Sequence, residues 1–170
     1  MHALTLSAPA VERLRRTDLA ALAGDVAAQL DPRVPSGVEL RVALKATAWA
    51  EVDPDLLREA LGHLLDNALV ALAPRGGTVW LRVQSERMCT VEVEDDGPGI
   101  EPALHARIFE PLWTTSPIER AGLGLTIARA IFEGLGGSLQ VQSEPGRGAR
   151  FIGTLPPMLR IRFVSHDVAC

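Results

Sequence analysis

Apolar and polar positions follow two different periods along this chain, and the switches between them mark its elements. After Thr17, the stretch DLAALAGDVAAQL places apolar residues at 19, 22, 26 and 30. That spacing of three and four predicts an amphipathic helix capped by Thr17 or Asp18. The Pro- and Gly-rich break DPRVPSG follows, and then Val38, Leu40, Val42 and Leu44 alternate with Glu39, Arg41 and Ala43, the period of a half-buried strand. The strongest helical signal runs from Asp53 and Pro54, which are start signals, to Pro74, which stops it. Leu56, Leu57, Ala60, Leu61, Leu64, Leu65, Ala68, Leu69 and Leu72 form its apolar stripe.

RGG then turns the chain into TVWLRVQ, and after the polar SERM a second alternating stretch, CTVEVED, reads as the partner strand of a hairpin. Residues 95–123 are rich in Gly, Pro and Thr, with one short helical piece near 102–109, so they read as a long loop of the functional kind. GLGLTIARAIFEGLGG predicts a helix ended by Gly136 and Gly137, and SLQVQSE with GARFIGTLP another strand pair around EPGRG. The order α-β-α-β-β-loop-α-β-β predicts an α+β two-layer sandwich, helices covering one face of a mixed, mostly antiparallel sheet. There is no internal repeat. Residues 1–16 show no sustained period and read as a linker or disordered lead-in, 17–157 as the domain, and 158–170 as a tail.

Composition narrows the function classes. A chain of 170 residues with 17 Lys+Arg against 21 Asp+Glu, net charge -4, has the size of one domain and lacks the clustered basic residues of a nucleic-acid binder. No apolar run approaches the ~20 residues that span a bilayer, and no signal-peptide pattern opens the chain. The reading is therefore cytoplasmic, with no membrane insertion by this stretch. Cys89 and Cys170 lack metal or disulfide spacing, and His2, His63, His105 and His166 are scattered, so a metal would have to arrive with a ligand.

Three features stand out as chemistry. Gly122 and Gly124 open a helix whose N-terminal N–H groups suit a phosphate, or else they simply turn the chain into it. Asp95 stands at a strand end before Gly97 and Gly99, offering a single acceptor beside a backbone that a flat ring can approach, or a bare turn. Asn67, next to Asp66 in an apolar helical stretch, is either hydrogen-bonded in the core or aimed at a cavity where it can ligate a hard cation.

Their order along the chain carries a resemblance. LREALGHLLDNALVAL resembles the N box, VEDDGPGI the G1 box, RIFEPLWTTSP the F box and AGLGLTIARAIFEGLGG the G2 box of the catalytic ATP-binding domain of two-component sensor histidine kinases. That domain belongs to the wider superfamily of gyrase, heat-shock chaperone, mismatch-repair and histidine kinase ATPases, which share the Bergerat fold. The likeness covers about residues 37–157.

It implies ATP and Mg²⁺ as cofactors, with Asn67 as metal ligand. It implies Asp95 as acceptor for the adenine amino group, a choice that selects adenine over guanine. Gly97, Gly99 and Ile100 would shape that pocket, and Gly122, Leu123, Gly124 and Leu125 would lie at the phosphates. Phe109 and Leu112 would anchor the mobile lid, which would carry Trp113, Thr114, Thr115 and Ser116.

The departures are as informative. His63 stands one helical turn before Asn67, where many relatives have Asn and the gyrase-like branch a water-activating Glu. It reads either as a contact to the Mg²⁺ shell or phosphates or as a structural residue. Val70 occupies a place where many kinases carry Lys or Arg, and Arg120 stands where a glycine is usual and could restore that charge. His63, Arg120 and Asn67 are thus the candidate catalytic residues. No histidine sits in an acceptor pattern like HExR/KxPL, so the resemblance implies the catalytic part of a longer kinase, of a family that includes membrane-anchored sensors. Its partners would be a dimerisation and phosphoacceptor module and a response regulator. The competing expectations are a non-catalytic nucleotide-binding pseudokinase and a protein serine kinase of the anti-sigma type.

Overall fold

The computed structural model describes residues 13–44, 48–113 and 122–157. Its elements in order are β1 (Arg15–Asp18), α1 (Leu19–Leu30), β2 (Val38–Leu44), β3 (Trp49–Val52), α2 (Pro54–Leu72), β4 (Gly77–Ser85), β5 (Cys89–Asp95), α3 (Gly124–Gly134), β6 (Ser138–Ser143) and β7 (Ala149–Leu155). Five strands form one sheet in the order β2-β4-β5-β7-β6. β2 runs parallel to β4, and the other neighbours are antiparallel, so the mixed sheet and the β4–β5 hairpin are as the sequence implies.

The alternation in the strands decides which face the helices cover. Val79, Leu81 and Val83 of β4 pair across with Asp95, Val93 and Val91 of β5, and the latter two continue to Phe151 and Gly153 of β7. Apart from Gly153 these side chains are buried, under α1 and α2 over β2, β4 and β5 and under α3 over β6 and β7. Gly153 is required for space. A Cβ there would lie 2.2 Å from the Phe132 ring of α3, so the missing side chain is what lets that helix sit on β7. The helix-free face carries an ionic lattice instead. Arg150 donates to Glu92 at 2.6 Å, Arg82 pairs with Glu94, and the Arg82 guanidinium stacks on Trp80.

Both long helices begin where acidic residues cap them. The Asp18 carboxylate accepts from the N–H of Ala20 and Ala21, which settles the choice between Thr17 and Asp18. Buried Asp53 accepts from Asp55 and Leu56 at 3.0 and 3.3 Å, with Pro54 at the first helical position. Asp53→Ala is therefore expected to cost about 1–2 kcal/mol of stability, read from urea unfolding, without altering ligand binding at saturation.

Two strands escape the sequence pattern. β1 and β3 form a separate antiparallel pair, Arg15 opposite Val52 and Asp18 opposite Trp49, with the Arg16 guanidinium 4.6 Å above the Trp49 ring. The folded body thus includes Arg15 and Arg16, which the expected boundary at residue 17 had left in the linker. The expected helical piece at 102–109 is a pair of 3₁₀ turns, Pro102–Leu104 and Arg107–Phe109. Residues 1–12 and the tail from 158 lie outside the described residues. Among the described residues, no helix is long and apolar enough to cross a membrane.

Candidate functional site

The inward row of β5 ends on a charge. Asp95 continues the line of Val91 and Val93 and is only 3% exposed. Burial pushes its carboxyl above the usual carboxylate range; backbone N–H groups of Gly97 and Ala149 work the other way, and the charges of Asp96 and Glu94 add to the rise. One oxygen, Oδ1, accepts from Gly97 at 2.8 Å. Its neighbour Asp96 has a structural task, because its Oδ1 accepts from the Thr78 N–H at 2.8 Å and ties the end of β5 to the start of β4. The DD pair is thus divided into a buried acceptor and a strand cap.

The loop after Asp95 is held by the β6–β7 turn. Pro98 O accepts from the Gly146 N–H at 2.7 Å, and the Ile100 N–H donates to Ser143 Oγ at 2.8 Å, which in turn donates to Gly148 O at 2.6 Å. A Cβ at Gly97 would lie 2.6 Å from the Asp95 carboxylate and 3.5 Å from the Ala71 side chain, so this loop rests against the C-terminal part of α2. Ile100 is half-buried against the core. Sequence reasoning missed Ser143 and Gly148 as supports of this pocket. The EPGRG turn was visible, but not which loop it would reach.

At the other end, α2 meets α3. A Cβ at Gly124 would lie 3.3 Å from Nδ1 of His63, a tight contact, so the first turn of α3 runs close against the imidazole. Nε2 of His63 is buried, 3.8 Å from the Glu59 carboxylate, and has no hydrogen-bond partner among the described residues. No side chain caps α3 at Leu123, whose carbonyl accepts from Ile127, so the first N–H groups of α3 are uncapped by any side chain. Leu125, one residue into α3, packs on the core.

Asn67 lies between the two ends. His63, Asn67 and Ala71 are spaced by four and share one face of α2. Eight residues of helix, about 12 Å, therefore separate the contact with Gly124 from the contact with Gly97. Asn67 is half-buried and its amide makes no hydrogen bond to other described residues, which favours the cavity-facing reading over the core one. Asp66 points elsewhere, to Arg33 at 2.8 Å. Among the described residues no group of His, Cys, Asp and Glu could hold a metal by itself. The amide oxygen of Asn67 is a hard donor of the kind that can add one ligand to a cation held mainly by other groups.

The base of the long loop is pinned on both sides. Phe109 stacks edge-on against Phe151 at 6.4 Å, Arg129 lies 5.1 Å from its ring, and Thr126 Oγ1 donates to Phe109 O at 3.0 Å. The Leu112 N–H donates to Gly122 O at 3.1 Å, and a Cβ at Gly122 would lie 2.7 Å from Trp113 O. Leu112 anchors through its main chain only, since its side chain is 70% exposed and its φ is 66°. Thr114, Thr115, Ser116 and Arg120 lie outside the described residues. Val70 is exposed on α2 and supplies no charge.

This arrangement has known counterparts. The family described as histidine kinase-, DNA gyrase B-, and HSP90-like ATPase matches residues 52–159. The chain is 36% identical over 138 residues to the sensor protein IrlS of Burkholderia pseudomallei, covering 78% of this chain and 29% of that protein. It is 34% identical over 130 residues to the signal transduction histidine-protein kinase AtoS of Escherichia coli, covering 71% and 21%. Among solved structures, full-length ShkA in complex with AMPPNP superposes with a TM-score of 0.79 at 30% identity over 89% of this chain and 32% of that one. The mycobacterial sensor histidine kinase MprB superposes at 0.74 with 25% identity over 85% and 99%. The chain thus spans under a third of the length of these curated relatives.

Proposed function

Because this chain belongs to the histidine kinase-, DNA gyrase B-, and HSP90-like ATPases, as the catalytic ATP-binding domain of a histidine kinase, we propose that it holds Mg-ATP along α2 and passes the γ-phosphoryl group to a histidine of a dimerisation and phosphoacceptor module. The observation that carries the reading is the two-ended face of α2. The buried acceptor Asp95 and the Gly97 backbone stand at one end, while His63 and the α3 N-terminus stand at the other, with Asn67 between. A nucleotide lying along it has its base at Asp95 and its phosphates at Gly124. The AMPPNP bound by ShkA supports adenine nucleotide as the ligand class.

In this reading Asp95 accepts the adenine amino hydrogen through the oxygen not engaged by Gly97. The uncapped N–H groups of α3 face the phosphate charge. His63 lies against those phosphates through Nδ1, and Arg120 is assigned the charge that position 70 lacks. Asn67 would hold Mg²⁺ together with the phosphates, and the ion would supply charge neutralisation on the transferred group. The bond from γ-phosphorus to the bridging oxygen breaks, a bond to the acceptor imidazole nitrogen forms, and ADP departs. This chain's residues position and neutralise; none has to act as general base. A response regulator in the cytoplasm would take the phosphoryl group onward.

Calorimetric titration with ATP and ADP, each with and without Mg²⁺, tests the site, and labelled-phosphate transfer to a supplied acceptor module tests the activity. Nucleotide binding with no phosphohistidine would replace the kinase reading by that of a nucleotide-binding regulatory module. Asn67→Ala is expected to weaken Mg-ATP binding roughly tenfold, about 1.4 kcal/mol, while leaving metal-free binding nearly unchanged. An equal loss in both conditions would remove Asn67 from metal ligation.

A further inference from the structure

We propose that β2 is a self-association edge, on which a second copy of this chain adds its own β2 antiparallel about a two-fold axis at Leu40, joining the two sheets into one. β2 is the end strand of the sheet and pairs only with β4 among the described residues, so alternate N–H and C=O groups along its other side face outward. Edges are usually blunted by proline, charged side chains or a bulge; VELRVAL carries no proline, and its two exposed charges, Glu39 and Arg41, are of opposite sign, so they repel most strands but can be met by the same strand turned about. Its helix-facing row is Val38, Leu40, Val42 and Leu44, which runs on from Gly77, Val79, Leu81 and Val83 of β4. Leu81 and Val83, the β4 partners of Val42 and Leu44, are buried, yet Val42 is 43% and Leu44 38% exposed, because the sheet ends there and α1 covers them from one side only. A groove lined by Gly24, Ala27, Ala28, Leu40 and Val42, with Asp31 as its one charged residue, remains between that helix and the strand.

The charges of the strand select the occupant. An antiparallel partner must keep apolar residues opposite apolar ones, which confines the pairing to registers shifted by an even number of residues. Centring the axis on Glu39 opposes two glutamates, and centring it on Arg41 opposes two arginines. Centring it on Leu40 sets Glu39 opposite Arg41 of the second copy, twice over, while Val38 meets Val42 and Leu40 meets itself on the helix side. Glu39 and Arg41 already pair within the strand at 2.9 Å, so the four charges close into one lattice. The strand is therefore complementary to itself, the requirement of an isologous dimer. α1 packs over both β2 and β4, so the axis also brings its two copies side by side, where Gly24 and Ala28 add little bulk. Asp95 lies on β5, beyond β4 from this edge, so the seam leaves the nucleotide site open.

Sedimentation velocity of the full chain up to about millimolar concentration tests this. The wild type is expected to associate reversibly to a dimer. Arg41→Glu, which opposes glutamates across the seam, and Val42→Lys should each weaken association at least tenfold while circular dichroism and nucleotide affinity stay unchanged. Combining Glu39→Arg with Arg41→Glu restores the opposition of unlike charges and should restore the dimer. A chain that stays monomeric throughout, a dimer indifferent to Arg41→Glu, or a double variant that fails to reassociate would each overturn the proposal.

Discussion

Asp95→Asn is expected to lower the affinity for ATP and ADP at least a hundredfold, about 2.7 kcal/mol, with the fold unchanged by circular dichroism. The carboxylate has one oxygen committed to the Gly97 N–H. An asparagine can keep that bond through its own oxygen, but then turns an NH₂ group toward the adenine amine, so two donors face each other in a buried place. The exchange removes a charge-assisted hydrogen bond and leaves both groups unpaired. It should also narrow the preference for ATP over GTP, since the amide can donate to the guanine carbonyl. Unchanged affinity in competition titrations would take Asp95 out of base recognition.

The same variant separates binding from stability. Burial raises the Asp95 pKa in the folded state above its unfolded value, so the folded chain holds the proton more tightly. The ionised carboxylate therefore costs stability above the raised pKa. That cost fades as pH falls through the raised pKa and is gone below the unfolded one. Nucleotide affinity is expected to run the opposite way, because protonation removes acceptor capacity. The nucleotide-free Asp95→Asn protein should be at least as stable as wild type at neutral pH and should lose this component of the pH dependence, which denaturation at a series of pH values would show.

Gly148→Ala is expected to cost roughly 3–5 kcal/mol and to abolish nucleotide binding with it. Gly148 has φ +75°, where any other residue meets its own backbone, and an added Cβ would lie 1.8 Å from Asp95 O and 2.9 Å from Asp96 Cα. These are main-chain atoms at the end of β5, so relief requires moving the strand that carries Asp95. Gly146, two residues earlier, has φ +79° with no atom near the added Cβ. Gly146→Ala should thus cost only about 1–2 kcal/mol, the conformational part alone. Urea unfolding of the pair measures the difference, and equal costs would show that the close approach to β5 is not what constrains position 148.

Much of the site is legible in the chain because its chemistry is written in contiguous stretches. Asn67 in an apolar helix, the DDGPG run after a strand and the glycines before α3 are local patterns, and their order carried the resemblance that the family match bears out. The supports were not legible. Ser143 and Gly148 hold the Asp95 loop from the β6–β7 turn, more than 40 residues along the chain. Nothing in the periodicity of β6 says which loop its last serine will meet. Leu112 shows the opposite limit: the resemblance implies an anchor there, while the structure shows an exposed side chain at positive φ and a main-chain hydrogen bond to Gly122.

What the sequence by itself determined are the elements with strong local patterns: α1, α2 and α3, the β4–β5 and β6–β7 hairpins, and the alternation of β2, β4 and β5. These follow from hydrophobic period, caps and turn residues, which act over a few neighbours. Only the tertiary structure decided the parallel pairing of β2 with β4, the small β1–β3 sheet and the burial of Asp95. It also set the approach of His63 to Gly124 that gives α2 its second end. Each of these joins segments distant in sequence. Such a pairing is selected by the packing of whole layers, because a short strand such as WAEV gains its order from the partner it meets rather than from its own residues.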